Sequence, residues 1–332
     1  MMTAMPNSLG RFQAGFWAVL SVGWVLLGLG AFMYARMKAI PEWAALPIAA
    51  AFLIEFPFYL APGFESVRNG LAALGRIRAA VLMAISAIAP WLVLSLGTGT
   101  AHLESFLLLL GVAAAVSFWY IALGPAPAWD VLFLGLLAVI VLSRIFDRIY
   151  ISPIPSLSLS VLGHLMLIRT AALAILMLRG KVKVQFQFLP RRGEWLTGFR
   201  YFAWMLPLLA LAYWALGLVN VRPHPLNILL AVATFFGILW VVALSEEFFF
   251  RGLLQQWIEQ WTGSPMAALF GASALFGAAH LGFHHQFPNW RWAIIASILG
   301  FFCGLAWRRS HSIQASMVTH ALTVTLWRTF LQ

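Results

Sequence analysis

The sequence predicts an all-α fold, a polytopic transmembrane helical bundle of about 10–11 spans. Three observations predict it. The 332 residues are 62% hydrophobic and only 9% charged, against roughly 25% charged in an ordinary soluble domain. The mean hydropathy is +0.90, too high for a globular domain with one anchor. The apolar residues fall in continuous blocks of about 20, the length of helix that crosses a hydrocarbon core. A membrane β-barrel would alternate in segments of about ten residues instead. Continuous blocks satisfy their backbone polar groups internally only as helices.

Taken in order, the apolar runs of the N-terminal half cover 13–34, 43–61, 79–96, 103–123, 129–143 and 157–178. The first is long and lacks a small-residue cleavage site, so it is expected to remain as a span. The second contains Glu55 and Pro57, the fifth is the shortest, and the sixth carries His164 and Arg169. The longest polar stretch follows, with Arg179, Lys181, Lys183, Arg191 and Arg192, and Arg200 just beyond. It reads as a basic linker, 179–198, between an N-terminal bundle, 1–178, and a C-terminal core, 199–332; a plain basic loop fits equally. The C-terminal runs cover 199–219, 227–250, 265–281, 292–307 and 312–331. The ninth is rich in Gly and Ala, which lets neighbouring helices approach closely. No internal repeat is evident.

The net charge is +11. The basic residues fall in short loops between apolar runs, where they mark topology and meet anionic lipid headgroups. That placement argues against nucleic acid as a partner. If every run crosses, one side carries thirteen Lys and Arg and the other seven, Arg251 being counted on the richer side. The positive-inside rule then puts the N-terminus in the cytoplasm. Arg outnumbers Lys eighteen to three, a composition that points to a GC-rich bacterial genome and so to a bacterial cytoplasmic membrane. The single cysteine, Cys303, excludes an intrachain disulfide and a cysteine metal cluster.

Ionisable residues inside a membrane are functional candidates by default. Here they are Glu55, His164, Arg169, Glu246, Glu247, Arg251, His280 and His320. Glu247 and Arg251 are four apart, so on a helix they share a face and can pair. Glu246 points about 100° away and has no partner in sequence. A carboxylate without a counter-ion in a low-dielectric place is suited to general base work. A structural ion-pair knot is the alternative, although one glutamate would suffice for it. His280 ends a span and also reads as an interfacial histidine. His320 lies within the last span and also reads as a hydrogen-bonded helix residue. His284 and His285 read as loop residues. Glu55, His164 and Arg169 look isolated, as a helix-kink partner or snorkelling ends.

Glu246-Glu247-x-x-x-Arg251, then Phe276-x-x-x-His280, then His320 on a final span resembles the CPBP family of intramembrane endopeptidases. These are the type II CAAX prenyl endopeptidases and bacteriocin-processing enzymes, also called the Abi family. Their motifs are EExxxR, FxxxH and a final HxxxN or HxxxD. The resemblance covers residues 227–332, about a third of the chain. One position departs from it: Val324 stands four residues after His320, where the family has Asn or Asp. Thr323 and Thr325 adjoin it as other hydrogen-bond donors. The resemblance implies a glutamate protease with no required metal. Glu246 would be the base, His280 would hold or polarise the water, Glu247 and Arg251 would orient the base, and His320 would stabilise the oxyanion. Peptide hydrolysis asks for these parts, an activated water and a donor aimed at the developing charge.

Other chemistries have weaker support. No HExxH occurs, which removes the usual zinc motif. Gly271-Ala272-Ser273-Ala274 lacks the last glycine of a serine-protease turn, Asp130 and Asp147 lie at span ends, and Cys303 has no evident base nearby. A divalent metal such as zinc would have Glu246, His280 and His320 as its ligands, with one position open. Intramembrane Glu, His and Arg also build proton-coupled transporters, and the Val324 departure also fits a non-catalytic peptide-binding or immunity protein. The expectation is an intramembrane endopeptidase acting on a membrane-associated protein or peptide.

Overall fold

The structure, a computed structural model, describes residues 8–180, 187–218, 228–283 and 286–330, except the side chains of 8–14, 229 and 330. Among them every regular element is helical. The chain divides into two compact units, Met1–Val182 and Lys183–Gln332.

The first unit holds α1 (Ser8–Met37), α2 (Glu42–Leu60), α3 (Glu65–Ala73), α4 (Arg76–Thr98), α5 (Leu103–Ala122), α6 (Pro127–Leu142), α7 (Ile145–Ile149) and α8 (Ser160–Leu173). α8 continues as π-helical turns from Ala174 to Arg179. Within this unit α2 packs on α4 and on α8. Glu42, Glu65, Glu104 and Asp130 occupy the first turns of α2, α3, α5 and α6. A negative side chain there meets the positive end of the helix dipole, so these acids have a local reason to sit at the ends of apolar runs.

The second unit holds α9 (Arg192–Ala215), α10 (Ile228–Gly237), α11 (Leu244–Glu247), α12 (Gln256–Thr262), α13 (Pro265–Ala279), α14 (Trp290–Ser310) and α15 (Ile313–Phe330). π-Helical turns at Ile238–Ala243 and Phe248–Gln255 join α10, α11 and α12 into one continuous helix, Leu230–Thr262. Gly263, left-handed at φ +66°, ends it. Ser264 then caps α13 by accepting from Ala267 N at 3.2 Å, with Pro265 in the first turn. Asn289 caps α14 in the same way, accepting from Trp292 N. α13 and α14 are the most closely packed pair. Gly277 makes this possible, since a Cβ there would lie 2.5 Å from Ala293 O. α9, α14 and α15 pack mutually, around a core of Met205, Tyr213, Phe250, Phe276, Leu299 and Cys303.

Each of the eleven expected runs falls on a helix. Among the described residues, eight helices are long and apolar enough to cross a membrane, and α6 and α13 are shorter apolar helices. The chain is an integral membrane protein with an all-α polytopic bundle. α15, which carries Gln314, His320 and Arg328, is not among the eight. Two expectations need correction. The eighth run was expected to end near 250, but its helix continues to Thr262, so the Glu246–Arg251 stretch lies well inside it. Arg251, counted with the loop charges, is fully buried, and the loop count becomes twelve against seven.

The stretch expected as a linker, 179–198, is shared between the units. Arg179 pairs with Asp130 through Nε and Nη2, each at 2.7 Å. Gln187 and Phe188 accept through their carbonyls from Gln314 Nε2 and Trp240 Nε1, and α9 begins at Arg192. Residues 181–186 lie outside the described residues.

Candidate active site

The site is built on the middle of the Leu230–Thr262 helix. Glu247 and Arg251 are both fully buried. Arg251 Nε lies 3.2 Å from Glu247 Oε2, and Nη1 donates to Oε1 at 3.3 Å. Nη2 donates to the Gly300 carbonyl at 2.6 Å. Glycine leaves room at that point of α14, because a Cβ on residue 300 would lie only 3.1 Å from Nη2. The guanidinium carbon stands 4.8 Å from the centre of the Phe276 ring, a cation–π distance. A buried charge is tolerated when it is paired and hydrogen-bonded in this way.

His320 joins the pair from α15. Its Nδ1 is 2.8 Å from Glu247 Oε1. Glu247 is ion-paired to Arg251 and accepts, so the imidazole Nδ1–H donates to it. That bond turns Nε2 toward Glu246, whose Oε2 is 3.8 Å away. The gap is too long for a hydrogen bond. Glu246 is about one third exposed at its side chain (32%), and its Oε2 has no hydrogen-bond partner. The adjacent carboxylates therefore differ: Glu247 is locked by two partners and Glu246 is left free.

His280 is held separately. It caps α13, is half-buried, and its Nδ1 lies 2.9 Å from Phe276 O one turn earlier. Its ring centre is 4.9 Å from that of Phe276, which meets His320 edge-on at 5.8 Å. The two imidazoles thus flank one phenyl ring. Among the described residues no hydrogen bond joins His280 to either glutamate. Glu246, Glu247, Arg251 and His320 meet directly, whereas His280 reaches the group through Phe276. His284 and His285 lie outside the described residues.

Sequence reasoning missed Cys303. Its sulfur is within 4.8 Å of ligand atoms of Glu247 and His320, which corrects the expectation that no base lies near it. No local spacing could have found it, since it sits on α14, more than fifty residues from Glu247. The thiol donates to Ser316 O at 3.6 Å. Glu247, Cys303 and His320 are the types that bind a divalent ion such as zinc. They do not fit one here. Glu247 already faces the Arg251 guanidinium on both oxygens and His320 on Oε1, so a metal would sit against a fixed positive charge. The ligand set read from sequence, Glu246, His280 and His320, is not among the groups of described residues whose ligand atoms converge.

The remaining expectations resolve as follows. Val324 is partly buried against the core of Phe276 and Cys303. Thr323 donates its hydroxyl to Thr319 O at 2.8 Å, so that proton is already used. Ser273 donates to Leu269 O at 2.7 Å, and Asp147 pairs with Arg144. Glu55 and Arg169 are not isolated. They form a buried ion pair, Arg169 Nε to Glu55 Oε1 at 2.5 Å, that links α2 to α8. Burial left each charge no alternative to the other. His164 Nδ1 contacts Ser160 O at 2.8 Å, one turn back on α8, and its ring lies edge-on to Phe146.

Comparison with known proteins covers the stretch that carries these residues. Residues 227–326 match a family model described as type II CAAX prenyl endopeptidase Rce1-like. No curated protein and no solved structure matches the chain. The matched stretch contains Glu246, Glu247, Arg251, His280, Cys303 and His320. On that match, residues 227–326 of this membrane protein are similar to the type II CAAX prenyl endopeptidase family.

Proposed function

We propose that the chain is an intramembrane endopeptidase that hydrolyses a peptide bond of a membrane-associated protein or peptide, near its C-terminus or a membrane-proximal segment. The observation that carries this reading is the unequal treatment of the two glutamates. Glu247 is tied to Arg251 and His320, while Glu246 keeps an unpartnered oxygen 3.8 Å from His320 Nε2. A water touching both groups spans such a gap.

The reaction follows from that water. Glu246 takes one of its protons, and the water oxygen bonds to the scissile carbonyl carbon. The oxygen charge that develops is met by Nε2–H of His320 in its imidazolium form. With His320 charged, the four-residue cluster of two carboxylates, one guanidinium and one imidazolium is neutral. The C–N bond then breaks as Glu246 passes its proton to the leaving nitrogen. Glu247 orients the imidazole, and Arg251 holds Glu247. His280, with Nδ1–H committed to Phe276 O, offers the Nε2 lone pair to accept a hydrogen bond from the attacking water and hold it. No step requires a metal, so a chelator should leave turnover intact.

The cell and substrate are part of the proposal. The arginine-rich composition fits a bacterial cytoplasmic membrane, with anionic headgroups against the basic loops. Membrane peptidomes from cells with the protein, without it, and with Glu246→Gln test the reading. An uncut precursor should accumulate in the second and third cases. Identical peptidomes with and without the protein, or full processing by E246Q, would refute it.

A further inference from the structure

Among the described residues, eight buried side-chain nitrogen or oxygen atoms lack a hydrogen-bond partner, and five belong to one helical segment. They are Glu246 Oε2, Glu247 Oε2, Arg251 Nε, and both Oε1 and Nε2 of Gln255. The first three serve the cluster described above. Gln255 does not, yet it is only 1% exposed. A buried amide without partners loses its hydration uncompensated, and methionine fills nearly the same space without that cost. The glutamine therefore calls for an explanation other than packing.

Its position supplies one. Glu247, Arg251 and Gln255 follow one another at intervals of four on the same helix, so successive side chains are neighbours. α14 presents two glycines at the same interval. A Cβ on Gly300 would lie 3.1 Å from Arg251 Nη2, and a Cβ on Gly304 would lie 3.0 Å from Gln255 Oε1. Both polar side chains thus use room that a glycine leaves. These atoms are complementary in kind: Arg251 Nε, ion-paired to Glu247 Oε2 at 3.2 Å without a hydrogen bond to it, and Gln255 Nε2 donate, while Gln255 Oε1 and Glu247 Oε2 accept. Neighbouring side chains four apart stand about 5–6 Å from each other at Cβ, a spacing that one bound water bridges. Enclosed polar places with two to four available partners are where proteins keep internal water.

We propose that Gln255 is a positioning residue that holds an internal water against Arg251, and that this water fixes the guanidinium which orients Glu247. The effect on turnover rests on the endopeptidase reading; the water itself does not. Two arms test it. An experimental map of the full chain in lipid, at a resolution that reveals ordered water, should show density within hydrogen-bond distance of both Gln255 and Arg251 Nε. A map without it overturns the proposal. Gln255→Met should lower kcat tenfold or more at unchanged KM for the accumulating precursor, with an altered pH profile and no rise in thermal midpoint. Unchanged kcat overturns it, whichever way the midpoint moves. Should Q255M fail to fold, the wild-type map decides alone. Full cleavage by E246Q would remove the endopeptidase reading and leave the map arm standing.

Discussion

Each of the two units buries an arginine against a carboxylate inside apolar helices, and the two arrangements differ in stoichiometry. In the first unit Arg169 meets a single glutamate. Its Nε and Nη2 reach both oxygens of Glu55 at 2.5 and 3.2 Å, and Nη1 and Nη2 also donate to the hydroxyl and carbonyl of Ser86. One charge neutralises the other, and the result ties α2, α4 and α8 together. In the second unit one arginine faces two glutamates and a histidine. Arg251 satisfies Glu247, and Glu246 remains with an open oxygen beside an imidazole. A surplus acid, rather than burial as such, separates the proposed reactive centre from a structural tie.

Substitutions can break or sharpen that contrast. Glu247→Gln should have the largest effect, because it removes the counter-ion of a fully buried arginine and the anchor of His320 together. Stability should fall by about 3–5 kcal/mol, and turnover should vanish, read by thermal melting and precursor cleavage. Glu55→Gln should cost a similar ~3–5 kcal/mol in melting, with the folded fraction cleaving at the wild-type rate. A loss of turnover per folded molecule would erase the distinction between the clusters. His320→Ala should slow single-turnover cleavage by about 10²–10³-fold, the usual result of losing one oxyanion donor.

The smallest effect belongs to Val324→Asn, which restores the residue that the resemblance implies. Val324 packs against the aromatic core, so the polar replacement should cost about 1–3 kcal/mol of stability and change turnover less than tenfold. A gain of a hundredfold would mean that His320 alone does not supply the oxyanion donor.

The fold was legible because membrane helices announce themselves as unbroken apolar blocks, and every expected run falls on one. The pairing of Glu247 with Arg251 was legible because four residues is a helical interval. The pairing of Glu55 with Arg169 was not, because its partners are 114 residues apart and nothing local signals the contact. Cys303 escaped for the same reason. The eighth run stops near 250 in the sequence because the unbroken apolar block ends there, with Arg251, Gln255, Gln256 and Glu259 following. Leu253 and Trp257 in fact bury the other positions of that stretch, and the polar residues continue the helix. The π-helical turns around the glutamates have no signature in spacing at all, although such turns recur at functional sites.

The central claim is that Glu246 is a base and not a structural charge. Turnover and thermal midpoint of Glu246→Gln, measured on the same preparation, test it most directly. Cleavage should fall by about 10²–10⁴-fold, the contribution of a positioned base, at an unchanged midpoint. Cleavage at the wild-type rate, or a fall in midpoint large enough to explain the lost activity, would contradict it.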